Sequence, residues 1–210
     1  MLRFRVFVVT MMMGFWVAGC ATRFEVVQLP ERSADLYPLA LTQGRTTVAV
    51  DEIGDEDRAY RYFGVDLIGH DIVPVNIVVS NHDTRPVLVK PADVMLHRSN
   101  EIIDPLPVST VAALAKRHGR LNRETRDQVD AYYRDIAFRT TAVAPNDTYQ
   151  GVLFFRIASP ADPRESLFQR VSLWMQGDLQ LDVVVETADQ HERLRYGPFN
   201  LAGSSRRDWF

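Results

Sequence analysis

The chain has 210 residues and a single cysteine, with 24 basic and 27 acidic side chains, so its formal net charge is −3. A mildly acidic chain lacks the basic stripe of a dedicated nucleic-acid binder, and one cysteine excludes an intramolecular disulfide. Hydrophobic residues make up 46% of the sequence, enough for a packed core to stabilise one domain.

The first 19 residues have the pattern of a signal peptide. Arg3 and Arg5 carry positive charge, and the stretch from Val6 to Ala18 is apolar except for Thr10 and Gly14. This stretch is too short to cross about 30 Å of hydrocarbon, which takes roughly 20 apolar residues. It does fit the hydrophobic region of a secretory signal. Removal of residues 1–19 leaves 22 basic against 27 acidic residues.

The end of this signal, Val17-Ala18-Gly19-Cys20, resembles the lipobox of bacterial lipoproteins at all four positions. The resemblance implies cleavage between Gly19 and Cys20 and attachment of acyl chains such as palmitate to Cys20. Two such chains suffice for stable membrane anchoring. Ala21, in place of the Asp that retains Gram-negative relatives in the inner membrane, favours the outer membrane. The alternatives are an ordinary secretory signal with an unrelated cysteine, or an uncleaved anchor helix.

Residues 20–44 are predicted to be the lipidated N-terminus and a tether, because Pro30, Pro38 and mixed charges interrupt any regular pattern. A flexible chain of this length spans about 25–30 Å root-mean-square. Within the tether, Phe24 to Leu29 is a candidate for pairing at a sheet edge.

From residue 45 the pattern changes to short strands. "TTVAVDEI" and "IVPVNIVVSN" place apolar residues at a two-residue period, which is typical of strands. Between them, "DEIGDEDRA" is predicted to be an acidic loop and "YRYFGVDLI" an aromatic strand. "RPVLVKPADVMLHR" is predicted to return as a strand, with Pro86 and Pro91 at its start, at an edge or at a bulge. Short strands at this spacing indicate a sandwich or barrel.

Residues 108–138 interrupt the strands with two predicted helices that form a hairpin. The second helix has apolar residues at positions i, i+3, i+4 and i+7, which places them on one helical face. This stripe either packs as core or forms a partner-binding or ligand-binding surface; it consists of Val129, Tyr132, Tyr133 and Ile136.

The last part of the chain returns to strands. "TYQGVLFFRIAS" predicts a strand, and "LFQRVSLWMQGDLQLDVVVET" predicts a hairpin that turns at residues 176–178. "YGPFNLAGSSRRDWF" is predicted to be a loop or tail. The folded domain is therefore predicted to span residues 45–200, followed by a C-terminal tail at 201–210.

Four segments together resemble a family of uncharacterised bacterial lipoproteins with one immunoglobulin-like domain: "YFGVDL", "IVPVNIVVSN", "RPVLVKPADVML" and "QGVLFFRI". The resemblance extends over roughly half of the chain. It implies a mainly β fold, an immunoglobulin-like β-sandwich with the helical hairpin of about 108–138 inserted, and a setting in the cell envelope. It supplies no catalytic residues. The Cys-Trp-Cys core of antibody domains is absent, because Cys20 is the only cysteine.

A search for catalytic or metal-binding motifs gives none. No two histidines are three or four residues apart, so there is no H-E-x-x-H metal motif, and no G-x-S-x-G is present. The acidic cluster at 51–57 does not have the spacing of an EF-hand loop. We therefore expect no enzyme, no metal and no cofactor. The histidines are His70, His82, His97, His118 and His191.

These observations predict a non-enzymatic, lipid-anchored envelope protein that binds or supports a protein partner at the periplasmic face of the outer membrane. The predicted docking surfaces are the apolar stripe, an edge strand after Pro86 and the aromatic tail. The alternative is binding of a small apolar or lipid ligand between the hairpin and the sheet. That pocket would be lined by Tyr132, Tyr133, Phe138, Phe154 and Trp174. An enzyme would require His70, His82 or His97 to meet a carboxylate inside a pocket.

Overall fold

The computed structural model describes residues 26–99, 101–118, 123–157, 179–188 and 191–201. Within these ranges the fold is mainly β, as predicted, with two antiparallel sheets and three α-helices, one more than the predicted hairpin supplies. The helices are α1 (Glu56–Phe63), α2 (Val108–His118) and α3 (Arg123–Ile136). The strands are β1 (Ala40–Gln43), β2 (Thr46–Glu52), β3 (Ile72–Asn81), β4 (Val87–Arg98), β5 (Glu101–Ile103), β6 (Thr141–Val143), β7 (Asp147–Arg156), β8 (Leu179–Thr187) and β9 (Arg193–Asn200).

Sheet A has the strand order β1-β2-β3-β7, and sheet B has the order β5-β4-β8-β9 with β6 also paired to β4. The two sheets pack face to face, because one continuous apolar cluster draws on both of them. Side chains at alternate positions of each strand point into this cluster, as the two-residue period requires. Its members include Val48, Val75, Ile77, Val89, Leu96, Phe155, Leu181, Val183 and Tyr196.

The opposite face of sheet A, its outer face, is covered by a second apolar layer. The three helices pack over one end of this face, in a cluster that includes Phe63, Tyr133 and Phe154. Residues 26–37, which we name the strap, cross the other end, where Ala34 and Tyr37 pack on the strands. Sheet A is therefore buried on both faces for most of its length.

The strap and β1 lie within the stretch 20–44 that was predicted to be a tether. Leu29, Ala34 and Tyr37 are buried, and the Val27 N–H donates to the Arg61 carbonyl oxygen at 2.9 Å. These apolar side chains pack against the sheet, so the ordered fold begins well before residue 45. Residues 26–29 form no strand, contrary to the pairing considered for Phe24 to Leu29.

Helix α1 corrects the prediction of an acidic loop followed by an aromatic strand. The Asp55 carboxylate accepts from the Arg58 N–H at 2.8 Å, which satisfies one of the unpaired donors at the helix start. The helix ends at Gly64, which adopts the left-handed conformation (φ 66°) that favours glycine there. Ala59 and Phe63, four residues apart, are buried on one side.

The helical hairpin predicted at 108–138 is confirmed as α2 and α3. Two strand predictions near the ends of sheet B need correction. The strand after Pro86 is not an edge: β4 pairs with β8 on one side and with β5 and β6 on the other. Residues 193–200, partly assigned to a tail, form strand β9 against β8. Pro91 does lie at a register shift, between Val89 and Val94, as its missing N–H requires.

Several predictions fall outside the described residues. They are the signal and Cys20, the first arm of the hairpin at 167–175 with Trp174, and the aromatic tail after residue 201. Within the described residues, no helix has the length and hydropathy to cross a membrane.

Candidate functional site

The predicted docking stripe on α3 faces the protein interior. Val129 and Tyr133 are fully buried, and Tyr132 and Ile136 pack on the same apolar cluster. The Tyr133 hydroxyl donates to the Phe63 carbonyl oxygen at 2.8 Å. Burial raises the pKa of the Tyr133 hydroxyl, because a phenolate would lose its hydration there. Val129 and Tyr133 therefore belong to the core, and the half-buried Tyr132 and Ile136 pack beside them.

The described side chains that were predicted to line an apolar pocket between the hairpin and the sheet pack against other side chains of the core. The ring centroid of Phe154 lies 5.5 Å from that of Phe63 and 5.9 Å from that of Tyr133. These separations are those of packed aromatic pairs. Phe138 belongs to the inter-sheet core, with its ring 5.4 Å from that of Tyr149. The predicted lining residues that are described thus occupy the space themselves.

The histidines do not assemble a metal centre: among the described residues, no group of three or more histidine, cysteine or acidic side chains could hold a metal ion. His70 and His118 do meet, with ring centroids 4.3 Å apart. Burial, and then the nearby His118, lower the pKa of His70. The acidic cluster is also divided, because Asp51 pairs with Arg58 while Asp55 caps α1.

His97 lies beside a buried carboxylate. His97 Nε2 is 3.4 Å from the Asp182 carboxylate, on the outer face of sheet B. The same carboxylate accepts from Arg195 Nε at 3.1 Å and from Arg195 Nη2 at 2.6 Å. The Asp182 side chain is 2% exposed and that of Arg195 is 64% exposed. Both carboxylate oxygens are thus engaged by a guanidinium that caps the acid from the solvent side.

The rest of this outer face repeats the arrangement. Lys90 and His191 both contact Glu186, at 2.7 Å and 2.6 Å. Arg193 contacts Asp93 at 2.5 Å. In each of these pairs the acidic side chain is more buried than its basic partner. The exposed surface is therefore formed by basic side chains, each of which is paired with an acid. Exposed pairs of this kind contribute little to stability.

A cleft of about 550 Å³ lies between the strap and the start of β7, lined by Glu31, Arg32 and Ser33 on one side and by residues 146–150 on the other. Its polar groups are only partly satisfied. The Ser80 hydroxyl lies 3.2 Å from that of Ser33 and 2.8 Å from that of Thr148, which links the two walls. The Gln150 side-chain oxygen is buried and has no hydrogen-bond partner among the described residues.

Asn76 lies on the same face of sheet A as Gln150. It is 1% exposed, and both its amide nitrogen and its amide oxygen lack a partner in the described part of the chain. Since Asn76 pairs with Val152 and Val78 with Gln150, the two amide residues are diagonal neighbours across β3 and β7. Diagonal positions of this kind are about 7–8 Å apart. Unpaired buried amides cost free energy, so a pair of them marks a position that needs explanation.

The strand that forms one wall of the cleft changes character along its length. Residues 151–155 of β7 are buried, whereas Asp147 and Thr148 are exposed. At its far half the free edge is covered, because the Val152 and Phe154 carbonyls accept from the N–H groups of Phe138 and Leu106. Alternate residues share an edge, so the backbone of Gln150 also points away from β3.

The sequence search missed this cleft and selected the apolar stripe instead. A signal was present: Asn76 interrupts "IVPVNIVVSN" and Gln150 precedes "GVLFF", so each places an amide within an otherwise apolar strand. Such residues are rarely buried without a partner. What the sequence did not supply was the strap, which makes the second wall.

No family model matches the chain, and no curated protein matches it. Among solved structures it is similar to ycdA, a candidate lipoprotein of Bacillus subtilis, with 10% identity and a TM-score of 0.39. That similarity covers 80% of this chain and 39% of the other, so the chain spans well under half of ycdA. The yjhA protein of Bacillus subtilis is similar over 70% of this chain and 79% of its own length, with 8% identity and a TM-score of 0.38. Similarity at this level does not establish a shared function.

Proposed function

We propose that the protein is a non-enzymatic, lipid-anchored envelope protein whose immunoglobulin-like β-sandwich binds a protein partner. Acyl chains on Cys20 would hold it at the periplasmic face of the outer membrane, after removal of residues 1–19. The observation that carries the proposal is the four-residue lipobox Val17-Ala18-Gly19-Cys20 directly after an apolar signal. A lipid on Cys20 would anchor the mature chain to the membrane without a membrane-spanning helix.

The packing of the domain supports a role in binding proteins over a role in carrying an apolar ligand. The aromatic side chains that could have lined an apolar pocket fill the core, as the Phe154 contacts with Phe63 and Tyr133 illustrate. Among the buried side-chain atoms without a partner in the described residues, the Gln150 oxygen belongs to the lining of the cleft beside the strap. A surface that keeps polar groups unpaired at a cleft suits a polar partner, since binding can satisfy those groups.

An enzymatic role has weaker support. The His97 and Asp182 pair resembles part of a catalytic arrangement, but Arg195 occupies both oxygens of the carboxylate. A carboxylate that orients a histidine needs a free acceptor oxygen, and the histidine that acts as general base needs a reacting group within reach. The pair serves better as one of the cross-strand charge pairs of sheet B.

The proposal is tested by expressing the wild-type protein, Cys20→Ala and Ala21→Asp in a Gram-negative host and separating the two membranes. We expect the wild type in the outer membrane and Cys20→Ala released or retained as uncleaved precursor. Ala21→Asp should shift to the inner membrane, and mass spectrometry should find acyl chains on Cys20 of the wild type. Crosslinking in cells would then identify the partner.

Two results would contradict the proposal. If Cys20→Ala is processed and fractionates like the wild type, lipidation is not what anchors the chain. If the wild type is anchored but co-purifies with a stoichiometric apolar small molecule and crosslinks to no protein, the ligand-carrier function replaces partner binding.

A further inference from the structure

We infer that the cleft beside the strap binds an extended peptide segment of the partner, which adds as a short strand to the edge of β7 at Asp147–Gln150, where no strand of the described residues pairs on the side away from β3. The inference rests on the proposed partner-binding function and gives that function a surface and a chemistry.

The backbone at the outward edge of β7 favours strand addition. Val152 and Phe154 show which edge the even-numbered residues of β7 face, because their carbonyls accept from Phe138 and Leu106 outside the sheet. At Gln150 the same edge borders the cleft. The Thr148 N–H, by contrast, is taken by the Asp147 carboxylate at 2.8 Å. An added strand would pair with the Gln150 N–H and carbonyl, as in other cases of β-strand addition.

The polar side-chain atoms at the cleft favour a peptide as the ligand. The Gln150 oxygen is a buried acceptor without a partner in the described residues, and Gln150 lines the cleft. A peptide group supplies the matching N–H and C=O in one rigid unit. The hydroxyls of Ser33 and Thr148 flank the same space and can donate or accept. A backbone N–H of a bound peptide would therefore satisfy the Gln150 oxygen.

The volume and charge of the cleft also favour a peptide. Its volume of about 550 Å³ falls in the range of ligand-binding clefts. Its rim carries charges of both signs, with Glu31 and Asp147 opposed by Arg32, which suits a zwitterionic or neutral chain. The Tyr149 ring packs toward Phe138 in the inter-sheet core, so it offers no stacking platform for a sugar. These features favour a peptide over a saccharide or a strongly charged ligand.

The test is selection of a phage-displayed random heptapeptide library on the full chain as purified from cells. The selected peptide is then synthesised, and its Kd is measured by calorimetry for the wild type and for Gln150→Pro, which removes the outward N–H at an edge where proline is tolerated. We expect Gln150→Pro to weaken binding about tenfold or more, as loss of backbone pairing with a buried acceptor implies.

N-methylation of each peptide residue in turn gives the decisive readout. In an added strand only alternate N–H groups face β7, so methylation should weaken binding about tenfold at the positions whose N–H pairs with the Thr148 or Gln150 carbonyl and little at the position between them. A flat profile, or one set by side chains alone, overturns strand addition. Failure to enrich any peptide on the wild type over Gln150→Pro overturns peptide binding at this cleft.

Two further variants serve as controls for Gln150→Pro. Gln150→Leu keeps the outward N–H and removes only the unpaired side-chain oxygen, so it should weaken binding less than Gln150→Pro. Gln128→Leu makes the same change on the exposed side of α3 and should bind like the wild type. If Gln150→Pro does not fold, Gln150→Leu and the methylation profile still decide the question. Because the selection does not depend on lipid at Cys20, its failure is distinct from failure of the anchoring proposal.

Discussion

The outer faces of the two sheets differ in what covers them. Sheet A is covered by helices and by the strap, and every residue of β2 and β3 is buried. Sheet B has an outer face of cross-strand ion pairs, and β4 alternates between buried and partly exposed residues. Covering a face stabilises the fold through apolar burial but requires every polar group beneath the cover to find a partner. The unpaired amides of Asn76 and Gln150 arise on the covered face, which is where a partner's backbone would matter most.

The comparison predicts that truncations beneath the cover are far more costly than those on the uncovered face. Phe154→Ala removes a fully buried ring that contacts Phe63 and Tyr133, and should lower the free energy of unfolding by about 3–5 kcal/mol. Leu88→Ala, on the outer face of sheet B, should cost less than about 1.5 kcal/mol because its side chain is only partly buried. Urea unfolding followed by circular dichroism measures both. Equal losses would mean that the outer face of sheet B is also covered in solution.

A smaller effect is expected where the chain crosses the edge of sheet A. A Cβ on Gly151 would lie 2.5 Å from the Phe138 Cα, and backbone cannot yield as a flexible side chain can. Gly151→Ala should therefore destabilise the protein by about 1–3 kcal/mol through overpacking. Gly44→Ala, where no atom lies within 4 Å of the added Cβ, tests backbone strain at positive φ without a clash. A neutral Gly151→Ala would show that residues 137–138 do not hold this position against β7.

The smallest effect concerns the ion pairs of sheet B. Hydrogen bonds from Lys90 and then His191 lower the pKa of Glu186 to about 2. Because this pKa lies below the ordinary value of 4.5, the pairing stabilises the fold above about pH 4.5 and is lost as the pH falls toward 2. Urea unfolding between pH 2 and 6 should therefore show an acid-side decline that is weaker in Lys90→Met. The same decline in Lys90→Met and Glu186→Gln would assign it to other carboxylates.

Much of the sheet structure could be predicted from alternation alone, and the reason is visible in β3 and β8. Both place apolar residues at every second position facing the inter-sheet core, and both are strands. The helical hairpin could be predicted because its apolar residues recur at the helical period. Helix α1 was missed because its aromatic residues also have high strand propensity. Its boundaries were nevertheless encoded, in Asp55 as N-cap and Gly64 as the left-handed terminus.

The site was harder to predict than the fold. The stripe on α3 had the composition of a docking surface, yet an apolar helical face and a core-facing helix have the same sequence pattern. Only the position of sheet A decides between them, and it buries Val129 and Tyr133. The cleft depends on residues 31–33 and 146–150, which are more than a hundred positions apart. No local pattern joins segments so distant, although the isolated amides in β3 and β7 were a visible sign.

The strap also sets how the domain would sit on a membrane. Val27, whose N–H donates to the Arg61 carbonyl oxygen, is seven residues after Cys20, and that length of chain reaches at most about 25 Å. With the proposed lipid on Cys20, this short linker would hold the domain close to the bilayer surface. Its encounters would then be confined to a thin layer, where local concentration replaces intrinsic affinity as the main control on binding. A peptide site on the domain would therefore meet a partner in the same membrane at a higher local concentration than the same sequence free in solution.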